Sequence, residues 1–233
     1  MTIFYYHPMS DDPENHSLLG QIKDKLIRSK QKWAEEGRAI TGRPDMGHVS
    51  RLPPGQKLVT NWPVLDLGVQ PDVKPENWRL RVTGLVENAA VWTLDEFKAL
   101  PAFEDVSDIH CVTTWSRYDN HWKGVSARAI LDIVKPKPDA RHVIFHSYDG
   151  YTTNVKLNVF SDPNVLLAYE WEGKPLAREH GGPVRVIIPD WYLWKSAKWV
   201  TRIEFVAEDR KGFWETRGYH NEADPWKEER YSE

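Results

Sequence analysis

The sequence predicts a β-rich α+β domain with short helices set between strands. Three observations carry that prediction. Apolar residues recur with period two, or in short unbroken runs, between Gly, Pro, Asn and Asp clusters. Two short segments instead keep helical spacing behind a capping residue. No internal repeat or low-complexity tract is present.

The elements follow in chain order. Residues 1–16 are polar, carry Pro8 and Pro13, and read as a loose arm. From Ser17 to Gly37 the residues Leu18, Leu19, Ile22, Leu26, Ile27, Lys30 and Trp33 keep one helical face. Ser17 suits the N-cap and Gly37 the stop. Residues 38–60 hold Gly42, Pro44, Gly47, Pro53, Pro54 and Gly55 and read as irregular wrapping chain. Asn77 to Val86 alternates as a strand. Thr93 to Leu100 reads as a short helix, because Thr93 and Glu96 form a capping box and Pro101 follows. Val106 to Val112 is a buried strand. Ser126 to Val134 is a helix with Ala127, Ile130, Leu131 and Val134 on one face. Val143–Ser147, Thr153–Leu157, Val184–Ile188 and Thr201–Val206 are further strands, and the tail from Asp209 is expected as surface coil. The expected division is an arm and helix over 1–57 and the main domain over 58–233.

The chain has 233 residues, enough to bury a core without disulfides. Its formal net charge of −3 argues against nucleic acid or an anionic membrane as a partner. No apolar run is long enough to span a bilayer. The start lacks a basic-then-apolar leader, and one cysteine suits a reducing compartment, so a cytoplasmic location is expected. Twelve tryptophans are the anomaly: they imply a large aromatic core, sugar-stacking platforms or the walls of a cofactor pocket.

Familiar chemical signatures are absent. There is no G-x-G-x-x-G, Walker A loop, G-x-S-x-G or H-E-x-x-H. His110, His121, His142, His146 and His180 show no helical i, i+4 pair for a metal. What remains is polar residues in apolar surroundings. Cys111, the one cysteine, is either inert packing or a thiolate with a task. Asn61 sits before Trp62-Pro63. Arg185 lies inside the run Val184 to Ile188, where a charge is costly unless it meets an anion or a carboxylate. Lys195, Ser196 and Lys198, between Trp194 and Trp199, offer a donor-rich cradle suited to phosphate, or else internal salt bridges.

Asp108-Ile109-His110-Cys111-Val112-Thr113-Thr114-Trp115-Ser116, His180-Gly181-Gly182-Pro183-Val184-Arg185 and Lys195-Ser196-Ala197-Lys198-Trp199 together resemble the molybdenum-binding domain of the sulfite oxidase family, in its bacterial single-domain branch. Asn61-Trp62-Pro63-Val64 and the tail Gly212 to Asn221 look similar too, and the resemblance runs from about Leu58 to the C-terminus. It implies a molybdopterin cofactor, a sulfite oxidase-type fold and oxygen-atom transfer on a small sulfite-like or S-/N-oxide substrate. By the same carry-over Cys111 is the metal ligand. Asn61, His180, Arg185, Ser196, Lys198, with Lys195 and Ser147, contact the cofactor. Arg117, Tyr118, His121 and Trp122 are substrate-side candidates by sequence proximity. Thr60 stands where eukaryotic sulfite oxidases have a substrate arginine, and Thr113 where the bacterial sulfoxide reductases have glutamate. No haem-binding segment occurs, so electrons are expected to pass to a separate carrier. The basic run Lys23, Lys25, Arg28, Lys30, Lys32 is a solvated face or that carrier's docking surface. The absence of a dimerisation domain implies a monomer. The rival reading is a non-enzymatic, Trp-rich module that binds sugars or a protein.

Overall fold

The computed structural model describes Arg28 and residues 51–232 except Leu67 and Val69. The expected N-terminal arm, helix and most of the wrapping chain lie outside the described residues. Two sheets hold eleven strands among the described residues. The first joins β1 (Lys57–Leu58), β4 (Phe103–Cys111), β5 (Trp115–Ser126), β8 (Leu166–Trp171), β9 (Lys174–Pro175) and β10 (Arg185–Ile187). The second runs in the order β3 (Ala90–Thr93), β2 (Arg79–Gly84), β11 (Val200–Val206), β6 (His142–Ser147), β7 (Thr152–Lys156). Three short helices punctuate them: α1 (Leu94–Lys98), α2 (Ala127–Val134) and α3 (Leu157–Phe160). The β-rich α+β expectation is met.

Local chemistry explains the helix starts. Thr93 accepts from the Glu96 amide while the Glu96 carboxylate accepts from the Thr93 amide, the expected capping box. Ser126 caps α2 through the Ala129 amide, and Ala127, Ile130 and Val134 are the buried face. The helix ends at Lys135 in the left-handed region.

Period-two alternation divides the core. In β8, Leu167 and Tyr169 join a cluster with the second sheet and the helices, including Trp78, Phe97, Phe145, Phe160 and Phe205. Leu166 and Ala168 face the other way, into a cluster with Ile109, Cys111, Trp115, Trp122 and Trp194. The first sheet is thus buried on both faces, which is why β8 opens on the apolar run Val165–Tyr169 and β10 lies in an apolar run that Arg185 alone interrupts. The same alternation governs β10. Val186 belongs to the first cluster and Ile187 to the second, so Arg185, two residues before Ile187, points toward the cluster that holds Cys111.

Five strands were not expected: β1, β3, β5, β8 and β9. β5 begins Trp-Ser-Arg-Tyr-Asp-Asn-His, with turn formers and no alternation, yet β4 and β8 both pair with it. The fully buried Asn120 is satisfied there, donating to the carbonyls of Ser107 and Arg117 where β4 slips register. The tail is also more than surface coil. Glu215 is 2% exposed, and one carboxylate oxygen accepts from Lys195 Nζ at 2.7 Å, Thr153 Oγ1 at 2.8 Å and Trp194 Nε1 at 3.1 Å.

Breaking that buried pair leaves a charge without its partner. Glu215→Ala should destabilise the domain by about 3–5 kcal/mol. Lys195→Met combined with Glu215→Leu should recover most of the loss, as read by urea denaturation. Equal losses in the single and double variants would show that the pair is not the latch.

Candidate active site

Cys111 is the last residue of β4. A three-residue connection, Val112-Thr113-Thr114, leads back into β5 with Cys111 paired to Trp115. The turn closes through the Thr114 amide on the Cys111 carbonyl at 3.0 Å, with Thr114 at φ 68°. Such hairpins need a left-handed residue, and a β-branched one there is uncommon. Two long side chains clamp the turn from outside. Gln56 Nε2 donates to the Cys111 carbonyl at 3.2 Å, and Arg230 Nη1 to the Val112 carbonyl at 2.7 Å.

The thiol opens onto a cavity of about 140 Å³. Arg185, Ser196 and Lys198 line it with Cys111, and Trp194, Trp199, Trp214, Tyr151 and Tyr219 form its aromatic walls. Burial pushes the Cys111 thiol up, and the Thr113 hydroxyl and amide, then Arg230 and Lys198, pull it back. Thr113 Oγ1 donates to Sγ at 3.1 Å.

Arg185 is 2% exposed. It donates to the carbonyls of His180 and Ser196 at 2.9 Å each, and weakly to that of Val186 at 3.4 Å. No carboxylate lies within ion-pair distance of it among the described residues, and burial alone pulls its pKa down to about 9. Lys198 Nζ donates to the Glu179 carbonyl at 2.8 Å. Both loop carbonyls come within reach because of two glycines. A Cβ on Gly181 would meet Lys198 Cβ at 2.8 Å, and one on Gly182 would meet the Leu176 carbonyl at 2.2 Å.

These residues suit an anionic, thiolate-coordinated group. A buried cation without a counter-ion calls for one. The Ser147 hydroxyl, buried and without a hydrogen-bond partner among the described residues, is a donor awaiting an acceptor. Ser147 stands two residues from Asp149, itself on the cavity wall. His180 stacks on Trp62 with ring centroids 3.9 Å apart, and the Arg185 guanidinium lies 5.1 Å from that ring. Burial first, then Arg185 and Lys198, lower the His180 pKa to about 4, so the ring is neutral at pH 7.

The family model for the oxidoreductase molybdopterin binding domain matches residues 67–214. The chain belongs to that family. This molybdopterin-binding domain is 44% identical over 183 residues to the uncharacterized oxidoreductase YuiH of Bacillus subtilis, covering 78% of this chain and 92% of that one. It is 30% identical to the protein-methionine-sulfoxide reductase catalytic subunit MsrP of Ralstonia nicotianae, over 61% of this chain and 47% of that one. The sulfite oxidase of Arabidopsis thaliana is 28% identical over 62% and 46% respectively. The chain spans about half the length of these last two. The sulfane dehydrogenase SoxCD of Paracoccus pantotrophus shares the fold, with a TM-score of 0.55 at 21% identity over 60% of this chain and 40% of that one. The domain is an oxidoreductase of the sulfite oxidase type and its cofactor is molybdopterin.

The structure brings some expected residues together and separates others. Cys111, Arg185, Ser196 and Lys198 share the cavity, whereas Ser147 and His180 do not line it; the His180 carbonyl accepts from Arg185. Asn61 is exposed, next to the Trp62 that packs beside Arg185. Lys195, expected beside the cofactor, is turned away into the Glu215 ion pair and onto the Asn154 carbonyl at 2.9 Å. Trp122, also a substrate-side candidate, is 2% exposed and packs edge-on against Trp62, outside the cavity lining. Arg117, Tyr118 and His121 do not line the cavity either. Arg117 is occupied by Glu172, Asn120 and the Thr60 carbonyl, and rests on the Trp171 ring. Tyr118 lies under Arg51. His121 is exposed on β5, roughly 20 Å along the strand from Trp115 at about 3.3 Å per residue. Nearness in sequence does not put these residues on the cavity lining, because a strand carries its residues away from its turn. Tyr151, Trp214 and Tyr219 were missed; the Gly212–Asn221 motif was the available signal for the last two.

His110 is buried too, and burial lowers its pKa to about 4. Both imidazoles bind protons less readily folded than unfolded. Their stabilising contribution is complete above about 6.5 and is lost as pH falls toward 4. Stability of cofactor-free protein should therefore drop across that window. The drop should shrink in His110→Gln/His180→Gln, and an unaltered pH slope in the double variant would refute this origin.

Proposed function

We propose that the cavity holds molybdopterin with Cys111 as the protein ligand to molybdenum, and that the domain carries out oxygen-atom transfer on a small, uncharged sulfur or nitrogen oxo compound. The observation that carries this reading is Arg185: a buried guanidinium on the cavity wall whose hydrogen-bond partners among the described residues are carbonyl oxygens alone. When bound, the cofactor supplies the two-electron oxygen-atom exchange. The chain's own residues do the rest. Arg185 and Lys198 neutralise the phosphate, and Arg185's planar fork suits its oxygens. Ser196 offers a hydroxyl on the same cavity lining, and the Ser147 hydroxyl, unpartnered among the described residues, is a further donor. The aromatic walls limit water, which strengthens each polar contact inside.

Substrate charge follows from what the cavity offers. Its cations are Arg185 and Lys198, both assigned to the cofactor, and its other charged residues are Asp66 and Asp149. Arg117 is held elsewhere by Glu172. A dianion such as sulfite would meet net repulsion, whereas a neutral oxide would not. In the oxidising direction water supplies the oxygen atom, and two protons and two electrons leave. The reverse direction consumes two of each and releases water. The electrons are exchanged with a separate one-electron carrier.

The sugar-binding rival predicts exposed tryptophan platforms. Of the tryptophans described, Trp226 alone is exposed.

Protein from a molybdopterin-competent host should carry molybdenum and a fluorescent pterin; purified protein with neither would overturn the reading. Cys111→Ser should keep the pterin and lose dye-linked oxide reduction by more than about a hundredfold, beyond the scale on which changes to a ligand's outer-shell partners act. Full activity in that variant would exclude the ligand role. With reduced viologen dyes, neutral sulfoxides and N-oxides should turn over, while sulfite with ferricyanide should react poorly.

A further inference from the structure

Thr113 has a part beyond filling the turn. Its side chain is 6% exposed and lines the cavity beside Cys111. Its hydroxyl donates to the Cys111 sulfur at 3.1 Å, and its backbone amide is aimed at the same atom. Two donors from one residue therefore converge on a single sulfur. The geometry is set by the turn. Thr114 holds a left-handed conformation at φ 68°, Gln56 grips the Cys111 carbonyl, and Arg230 grips that of Val112. The hydroxyl is held where it stands by the backbone on both sides.

We propose that Thr113 is a positioning residue that sets the reduction potential of the metal through the Cys111 sulfur. The inference rests on Cys111 being the ligand. A hydrogen bond to a ligating thiolate draws charge off the sulfur, so the sulfur gives less electron density to the metal. The reduced metal is then favoured and the potential rises. The amide supplies part of this in any sequence. The hydroxyl is this chain's own addition, and its removal is a clean change because valine has nearly the same shape as threonine.

Redox titration followed by the paramagnetic signal of the metal tests this on the loaded enzyme. Thr113→Val should shift the one-electron equilibrium toward the oxidised state by about tenfold, a fall of about 59 mV. Thr113→Ser, which keeps the donor, should match the wild type. Molybdenum and pterin content should be the same in all three. Thr113→Ala removes the same donor and serves where the valine variant loads poorly. An unmoved potential in Thr113→Val and Thr113→Ala, or an equal fall in Thr113→Ser, would overturn the proposal. Cys111→Ser separates the two readings. If its signal matches the wild type, the ligand assignment has failed. If its signal changes while Thr113→Val leaves the potential unmoved, the assignment stands and the role of Thr113 falls.

Discussion

Arg185 sits in β10 between Val184 and Val186, 2% exposed, with its nitrogens bonded, among the described residues, to carbonyl oxygens only. An unpaired charge so placed costs several kcal/mol. The molecule bears that cost by surrounding the guanidinium with backbone acceptors. His180 presents one carbonyl, and Ser196 presents another. Gly181 and Gly182 permit the close packing that brings these together. Carbonyl dipoles hold the cation but do not cancel it. The remaining charge faces a cavity that Cys111 also lines. On the proposed reading, Arg185 meets the anionic group of the cofactor and Cys111 its metal.

The second buried cation behaves differently, and the contrast separates structure from site. Lys195 lies ten residues beyond Arg185 in the chain, is as deeply buried, and has a carboxylate at 2.7 Å. Its charge is cancelled internally. What it provides is mechanical. Glu215 comes from the tail and also binds Trp194 and Thr153, so the pair fastens the tail over β7. The Tyr151 hydroxyl donates to the Trp194 carbonyl at 2.5 Å, which sets a further wall residue. Trp194, Trp214 and Tyr219 stand around the cavity because this latch holds them there.

Sequence patterning carried much of the fold because its local rules act on few residues. The Thr93–Glu96 box, the Ser126 cap and the apolar runs of β6, β10 and β11 are cases where nearest neighbours decide. β5 was hidden because its pairing partners, not its composition, bury it. Trp115 and Trp122 are buried by the second cluster, while Asp119 and His121 stay exposed in the same strand. The site was legible where a residue's type conflicts with its surroundings, as with Arg185 in an apolar run and the one cysteine at a strand end. Lys195 and Lys198 could not be told apart by sequence. Both lie beside tryptophans, and which one faces the cavity depends on Glu215, a distant partner that pattern alone does not reveal. Arg117, Tyr118 and His121 follow the cysteine in sequence but climb away along β5.

The account depends on the cofactor being the counter-ion that Arg185 lacks. Anything that binds only the folded state raises its stability in proportion to that affinity. The most direct measurement is the difference in melting temperature between loaded and cofactor-free protein, the latter from a host unable to make molybdopterin, for wild type and Arg185→Met. The account predicts a large difference in the wild type that collapses in the variant. An Arg185→Met protein that keeps the full difference would contradict it.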